Sequence, residues 1–139
     1  MEDLVKCTYF KKIYEQAFGR MLNSEMNVGM VVFAETLYSK TIRTQQELSD
    51  CVSCNKAHTS RTLLKMQNLG LVKMINPNEN SPITLTKKGE KFAEECKAIR
   101  ESLNKKLVEN ISKKDLETFK KVIDQIFANA QVIASNYQE

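Results

Sequence analysis

Apolar residues recur at helical spacing in six stretches of the chain, with a short strand-like stretch between the fourth and the fifth. Phe10, Ile13 or Tyr14, Ala17 and Met21 make one stripe of a first helix over residues 4 to 22, which Asn23 and Ser24 end. A second helix, over 27 to 39, is apolar on most sides through Val28, Val31, Val32, Ala34 and Leu37. A helix apolar all round is a central, buried one. Residues 40 to 43 then form a basic connector.

The next stretch, TQQELSDCVSCNKAHTSRTLLKMQNLG over 44 to 70, predicts two short helices and a tight turn. Thr44 is a fit N-cap and Glu47, three residues on, completes a capping box. Leu48 and Val52 give the first short helix its apolar face. Ser53 and Cys54 make the turn, and Asn55 caps the second helix. Thr59, Thr62, Leu63 and Met66 are its inward stripe, and Gly70 follows where a left-handed C-cap is needed. The other side of this helix carries Lys56, Ala57, His58, Ser60, Arg61 and Lys65. Small residues that permit close approach, beside cations for phosphate and guanine, suit a helix lying in a DNA groove.

After Gly70 the period changes. Leu71 to Ile75 reads as a strand, NPNENS is dense in turn formers, and Ile83 to Leu85 returns as a second strand with Pro82 at an edge. A two-helix motif followed by a small hairpin is a winged helix-turn-helix. Thr86 then caps a helix over 87 to 109, with Phe92, Cys96, Ile99, Leu103 and Leu107 on one side. Asn110 and Ile111 interrupt it. Ser112 and Asp115 start a last helix on which Leu116, Phe119, Ile123, Ile126, Ala130 and Ile133 recur at helical spacing. The fold class is therefore mainly α with a β-hairpin wing. The terminal helices are long for so small a core, so a homodimer that interleaves them is expected.

Charge sharpens the picture. Residues 40 to 88 hold eight Lys or Arg against three acids, whereas the rest of the chain holds thirteen against fourteen. The net charge of +4 is thus concentrated around the two-helix motif, which favours a polyanionic partner. Thr44 and Gln45 at the start of the first short helix and Lys73 in the wing join the second helix as candidate DNA contacts. No apolar run approaches the roughly 18 residues of a membrane span, and the N-terminus lacks a signal-peptide block. A cytoplasmic protein with no membrane partner is expected, its four cysteines mostly reduced.

Cys51 and Cys54 form a C-x-x-C with His58 four residues on. A redox switch at Cys51, Cys54 or Cys7 is one reading. A metal site lacks its usual second ligand pair, and Cys54 also suits a buried apolar position. No metal and no cofactor is expected. With one histidine, no glycine-rich phosphate loop and no nucleophile motif, neither is an enzyme.

The run ELSDCVSCNKAHTSRTLLKMQNLGLV resembles the recognition region of the MarR family of transcriptional regulators, without a gap. LTKKG at 85 to 89 is similar to the Leu-Thr-x-x-Gly that follows that family's wing, and ISKKDLETFKKVIDQI resembles the start of its last helix. The resemblance spans nearly the whole chain in order. It implies a single MarR-like domain over 1–139, with a winged helix-turn-helix at 27–89 and dimerisation helices at 1–26 and 90–139. It also implies a repressor that binds a palindromic operator as a homodimer and is released by a small aromatic ligand, an oxidant or a metal. Tyr9, Phe10, Tyr14, Phe18, Phe33 and Tyr38 are candidates to line an effector pocket. One departure stands out: the family's wing carries an arginine for the minor groove, and NPNENSPITLT has none. That shifts the burden of reading onto the second helix, Arg61 above all, with Lys73, Lys87 and Lys88 at the hairpin base left for phosphate. It also keeps open a rival function, a winged-helix module that binds protein instead of DNA.

Overall fold

The structure, a computed structural model, describes residues 3–74 and 82–137; the predicted turn with Asn78, Glu79 and Asn80 lies outside them. The elements run α1 (Asp3–Met21), α2 (Val28–Ser39), α3 (Gln45–Val52), α4 (Lys56–Asn68), β1 (Val72–Lys73), β2 (Thr84–Leu85), α5 (Lys87–Leu107) and α6 (Lys113–Asn136). The chain divides into two units, residues 1–103 and 104–139.

The first unit is built around α2, whose Met30, Val31, Phe33, Ala34 and Leu37 are buried. Leu48 and Val52 of α3, Leu63 and Met66 of α4, and Phe92, Ala93 and Cys96 of α5 join the same core. Full burial of a side chain such as Phe33 or Leu48 contributes about 2 to 3 kcal/mol. The all-round apolar character of α2 is only partly used, because Val32 and Tyr38 stay exposed.

Two expectations need correction. On α1 the buried residue is Phe18, at 2 % exposure, with Tyr14 packed partly behind it. Of the expected stripe, Tyr14 and Ala17 are half-buried, while Phe10, Ile13 and Met21 lie open on the surface of the chain. The helix is apolar on several sides, so spacing alone did not select the packed one. The basic connector is also more than a connector. Ile42 is buried and bridges Ile83, whose N–H donates to the Ile42 carbonyl at 2.8 Å. It thus adds a rung beside the two-stranded sheet, in which Val72 pairs with Leu85 and Lys73 with Thr84, antiparallel.

Thr86 joins the end of α4 to the start of α5. Its N–H donates to Leu71 O, and its hydroxyl donates to Gly70 O while accepting from the Gly89 N–H at 3.1 Å. Lys88 Nζ donates to Leu69 O at 2.8 Å. That side chain, expected at phosphate because the wing lacks its arginine, thus also helps to close the C-terminus of α4.

Cys96 is fully buried, and burial pushes its thiol up to about 12. The thiolate is the reactive form. A maleimide at pH 8 is therefore expected to leave Cys96 of the folded protein unlabelled while modifying exposed Cys51, read by mass spectrometry of the digested protein. Labelling of Cys96 at the rate of Cys51 would contradict this packing.

In the second unit, Asn110 takes a left-handed conformation (φ 63°) after α5. Ser112 caps α6 by accepting from the Asp115 N–H at 3.1 Å and donates back to the Asp115 carboxylate at 2.6 Å. No residue of α6 is buried, and Phe119, Val122, Ile126, Phe127 and Ile133 are exposed.

Candidate nucleic-acid interface

The helix-turn-helix forms from its own caps. Thr44 Oγ1 accepts from the Glu47 N–H at 3.0 Å. Glu47 reaches past the cap residue and accepts from the Arg43 N–H at 2.8 Å, so the capping box is displaced by one residue from its expected form. Ser53 turns the chain in a left-handed conformation (φ 54°), which costs a non-glycine residue about 1 kcal/mol. Asn55 Oδ1 accepts from the His58 N–H at 2.8 Å and starts α4. Gly70 (φ 72°) ends it. Leu71 N–H returns to Met66 O and Gly70 N–H to Gln67 O, the paired bonds of a Schellman cap.

The angle between α3 and α4 is held by a buried pair of hydroxyls. Ser49 Oγ lies 2.9 Å from Thr59 Oγ1 and 2.8 Å from the Gln45 carbonyl, and Thr59 donates to Asn55 O at 3.0 Å. Both residues are buried, and no buried side-chain polar atom of the described residues lacks a partner. Thr59→Val keeps the shape and removes the hydroxyl. It is expected to cost about 1 kcal/mol, with a further Ser49→Ala adding less than its single effect. Urea unfolding of the two single variants and the double variant measures this; strict additivity would mean the two hydroxyls act independently.

Thr59, Thr62, Leu63 and Met66 are buried, so the opposite side of α4 faces out. At 100° per residue its midline holds Ala57, Arg61, Leu64 and Asn68, with Ser60 and Lys65 beside them. Ala57, Ser60, Arg61 and Lys65 are all exposed there, whereas Lys56 is exposed in the first turn about 110° round the helix from that midline. Leu64 and Asn68 were missed, because a search for cations passes over an apolar or amide side chain in the same arc. His58 sits toward the edge: it is exposed, but its ring lies 6.2 Å from that of Phe33 on the cavity side of the helix. Thr44 is exposed at the start of α3, Gln45 is half-buried, and Lys73 points out from β1.

A cavity of about 660 Å³ lies beside α4, lined by Tyr14, Phe18, Phe33, His58, Lys11 and Arg100 among others. Three of the six aromatic candidates therefore meet there. Tyr9 and Phe10 are exposed elsewhere on α1, and Tyr38 donates to Glu94 at 3.1 Å, which with that carboxylate's charge raises its pKa. Arg100 spans the wall. It grips Glu35 through Nε at 3.0 Å and Nη2 at 2.7 Å, with its guanidinium 5.7 Å from the centre of the Phe18 ring.

Cys51 is exposed and Cys54 partly buried, and none of the four cysteines is in a disulfide. Cys54 Sγ lies 3.5 Å from Val52 O. Among the described residues no group of three or more His, Cys, Asp or Glu could hold a metal ion, and no helix is long and apolar enough to cross a membrane.

No family model and no curated protein matches the chain. Solved structures do. A MarR transcriptional regulator from Methanosarcina mazei matches with a TM-score of 0.80 at 21 % identity, over 96 % of this chain and 99 % of that one. The Staphylococcus aureus MarR, solved with salicylate and kanamycin, matches with a TM-score of 0.82 at 20 % identity, over 94 % and 91 %. A heme sensor protein bound to heme and carbon monoxide matches with a TM-score of 0.64 at 18 % identity, over 91 % and 93 %. The chain thus has the winged-helix fold of the MarR transcriptional regulators, across nearly its full length.

Proposed function

We propose that the chain is a MarR-type transcriptional regulator that binds double-stranded DNA as a homodimer and represses from a palindromic operator. The observation that carries this reading is the outward side of α4. A helix locked to the core by Thr59, Thr62, Leu63 and Met66 presents Ala57, Ser60, Arg61 and Lys65 to solvent, in the most basic part of the chain. Small residues allow the helix axis to approach the base edges, and the cations meet guanine and phosphate. Thr44 and Gln45 at the N-terminus of α3 and Lys73 on β1 are the flanking phosphate contacts, with Lys56 beside them. His58 is an edge contact on this reading.

The homodimer is supported by the exposed apolar residues of α6, from Phe119 to Ile133, and by Tyr9, Phe10 and Ile13 of α1. Apolar surface on that scale is a protein-protein contact surface. A two-fold dimer presents two copies of α4 to half-sites about one helical turn apart.

Release by a small aromatic ligand is supported by the cavity beside α4. Tyr14, Phe18 and Phe33 supply apolar walls, and the two cations there are already paired, Lys11 with Glu15 and Arg100 with Glu35, so an acidic ligand would compete with those carboxylates. The S. aureus neighbour binds salicylate, an acid of that kind. His58 belongs to both the cavity wall and α4, so a ligand there touches the DNA-reading helix directly. Release by an oxidant would act through Cys51 and Cys54 at the turn, or through Cys7. The site of action is the cytoplasm. A protein-binding module is the rival reading, supported by a wing sequence without arginine.

In vitro selection of duplexes on the purified homodimer tests the proposal. The expected product is a palindrome with half-site centres about 10 base pairs apart. Recovery of no enriched sequence at low salt would favour the protein-binding reading.

A further inference from the structure

We propose that Leu64 is a specificity-determining residue that packs on the methyl group of a thymine, one or two base pairs from the guanine held by Arg61. The inference rests on the DNA-binding reading above and adds to it a base that no cation could select.

The argument starts from the shape of α4. Its buried positions place Ala57, Arg61, Leu64 and Asn68 along the midline of the opposite side. Leu64 is 56 % exposed, whereas the helix's other large apolar residues, Leu63 and Met66, are fully buried. Leu64 packs neither in the core nor partly against it. A leucine in the middle of the outward arc lies outside the core, and it exposes apolar surface at the position a DNA groove would cover most closely.

The surroundings identify what it would cover. Arg61, Lys65, Gln67 and Asn68 are all exposed around it, so among the described residues of α4 Leu64 is a lone apolar side chain and not part of an apolar stripe that a protein partner would bury. In the major groove the thymine C5-methyl is the apolar group on the base edges, and it is read by apolar contact. A lone leucine set among polar and cationic side chains matches that chemistry.

Spacing then places the base. Three residues of helix separate Arg61 from Leu64, a rise of about 4.5 Å. Base pairs along the duplex are about 3.4 Å apart, so a helix following the groove puts Leu64 one or two pairs beyond the guanine. Asn68 lies four residues further on the same side, where an amide can grip adenine through two bonds.

The test uses the full-length protein and the duplex obtained by selection, with each thymine of a half-site replaced in turn by uracil, which removes only the methyl group. For the unaltered protein, one uracil within two pairs of the guanine is expected to weaken binding about three- to fivefold, the equilibrium effect of one buried methyl. Leu64→Ala is expected to lose affinity for the thymine duplex by a similar factor or more and to be insensitive to that uracil. Circular dichroism confirms that the variant is folded. Tight binding that no uracil perturbs, or equal uracil sensitivity in Leu64→Ala, overturns the assignment of Leu64 while DNA binding stands. Failure of the unaltered protein to bind any duplex overturns both.

Discussion

Arg61→Ala is expected to lower affinity for the selected operator by roughly ten- to a hundredfold per half-site while the protein stays folded. Arg61 stands on the exposed midline of α4 and has no partner among the described residues. Its removal therefore breaks nothing inside the chain. What it removes is a planar fork able to hold O6 and N7 of one guanine, and a point charge cannot reproduce that. Arg61→Lys should accordingly recover phosphate attraction but little discrimination. A competition assay reads this directly: the ratio of operator to random-duplex affinity falls for both variants, while random-duplex affinity falls mainly for alanine. Unchanged operator affinity in Arg61→Ala would mean that the side of α4 facing out is not the reading surface.

The second large effect concerns the joint that holds α4 and the wing in place. Gly89→Ala is expected to destabilise the protein by about 3 kcal/mol or more. In an open helix this change would stabilise by about 1 kcal/mol, since alanine is the better helix former, so the sign itself is informative. A Cβ on Gly89 would overlap the Leu71 carbonyl oxygen, lie 2.9 Å from the carbonyl carbon and meet Leu85 Cδ2 at 3.1 Å. The first two obstacles are backbone atoms and cannot rotate aside. The Leu71 carbonyl accepts from the Thr86 N–H, and the next residue, Val72, pairs with Leu85. Relieving the clash thus means pulling α5 away from the hairpin and loosening the Thr86 bonds that tie it to the end of α4. Urea unfolding at fixed protein concentration should show a lower midpoint with little change in slope. A midpoint that rises would show that α5 and β1 do not approach as closely as this.

The parts of the fold legible in the sequence were those determined by neighbours along the chain. Thr44, Asn55, Thr86 and Ser112 mark helix starts because a capping oxygen must sit within a few residues of the amide it satisfies, and each does so. Gly70 marks the end of α4 because the reversal there needs a positive φ. The inward residues of α4 were legible for the same reason, since their spacing repeats over a full helix.

What escaped was set by partners distant in sequence. Ile42 reads as part of a polar connector until Ile83 comes beside it, forty-one residues later. Lys88 reads as a free cation until the Leu69 carbonyl is seen to hold it. On α1 the choice between the Phe10 and Phe18 sides depends on where α2 lies, and several sides were apolar enough. Leu64 was hidden by its chemistry: the inward stripe of Thr59, Thr62, Leu63 and Met66 left it on the outward side, where a search for cations passes over an apolar residue.

The central claim is that the outward side of α4 is a DNA-reading surface, and the dependence of binding on salt tests it most directly. Lys56, Lys65 and Lys73 from each protomer would neutralise about six phosphates in a dimer, so a plot of log K against log salt should fall with a slope near −5 for the selected duplex. Reversing Lys65 and Lys73 to glutamate should flatten that slope. No measurable binding at 50 mM salt, or binding whose slope is near zero, would contradict the account.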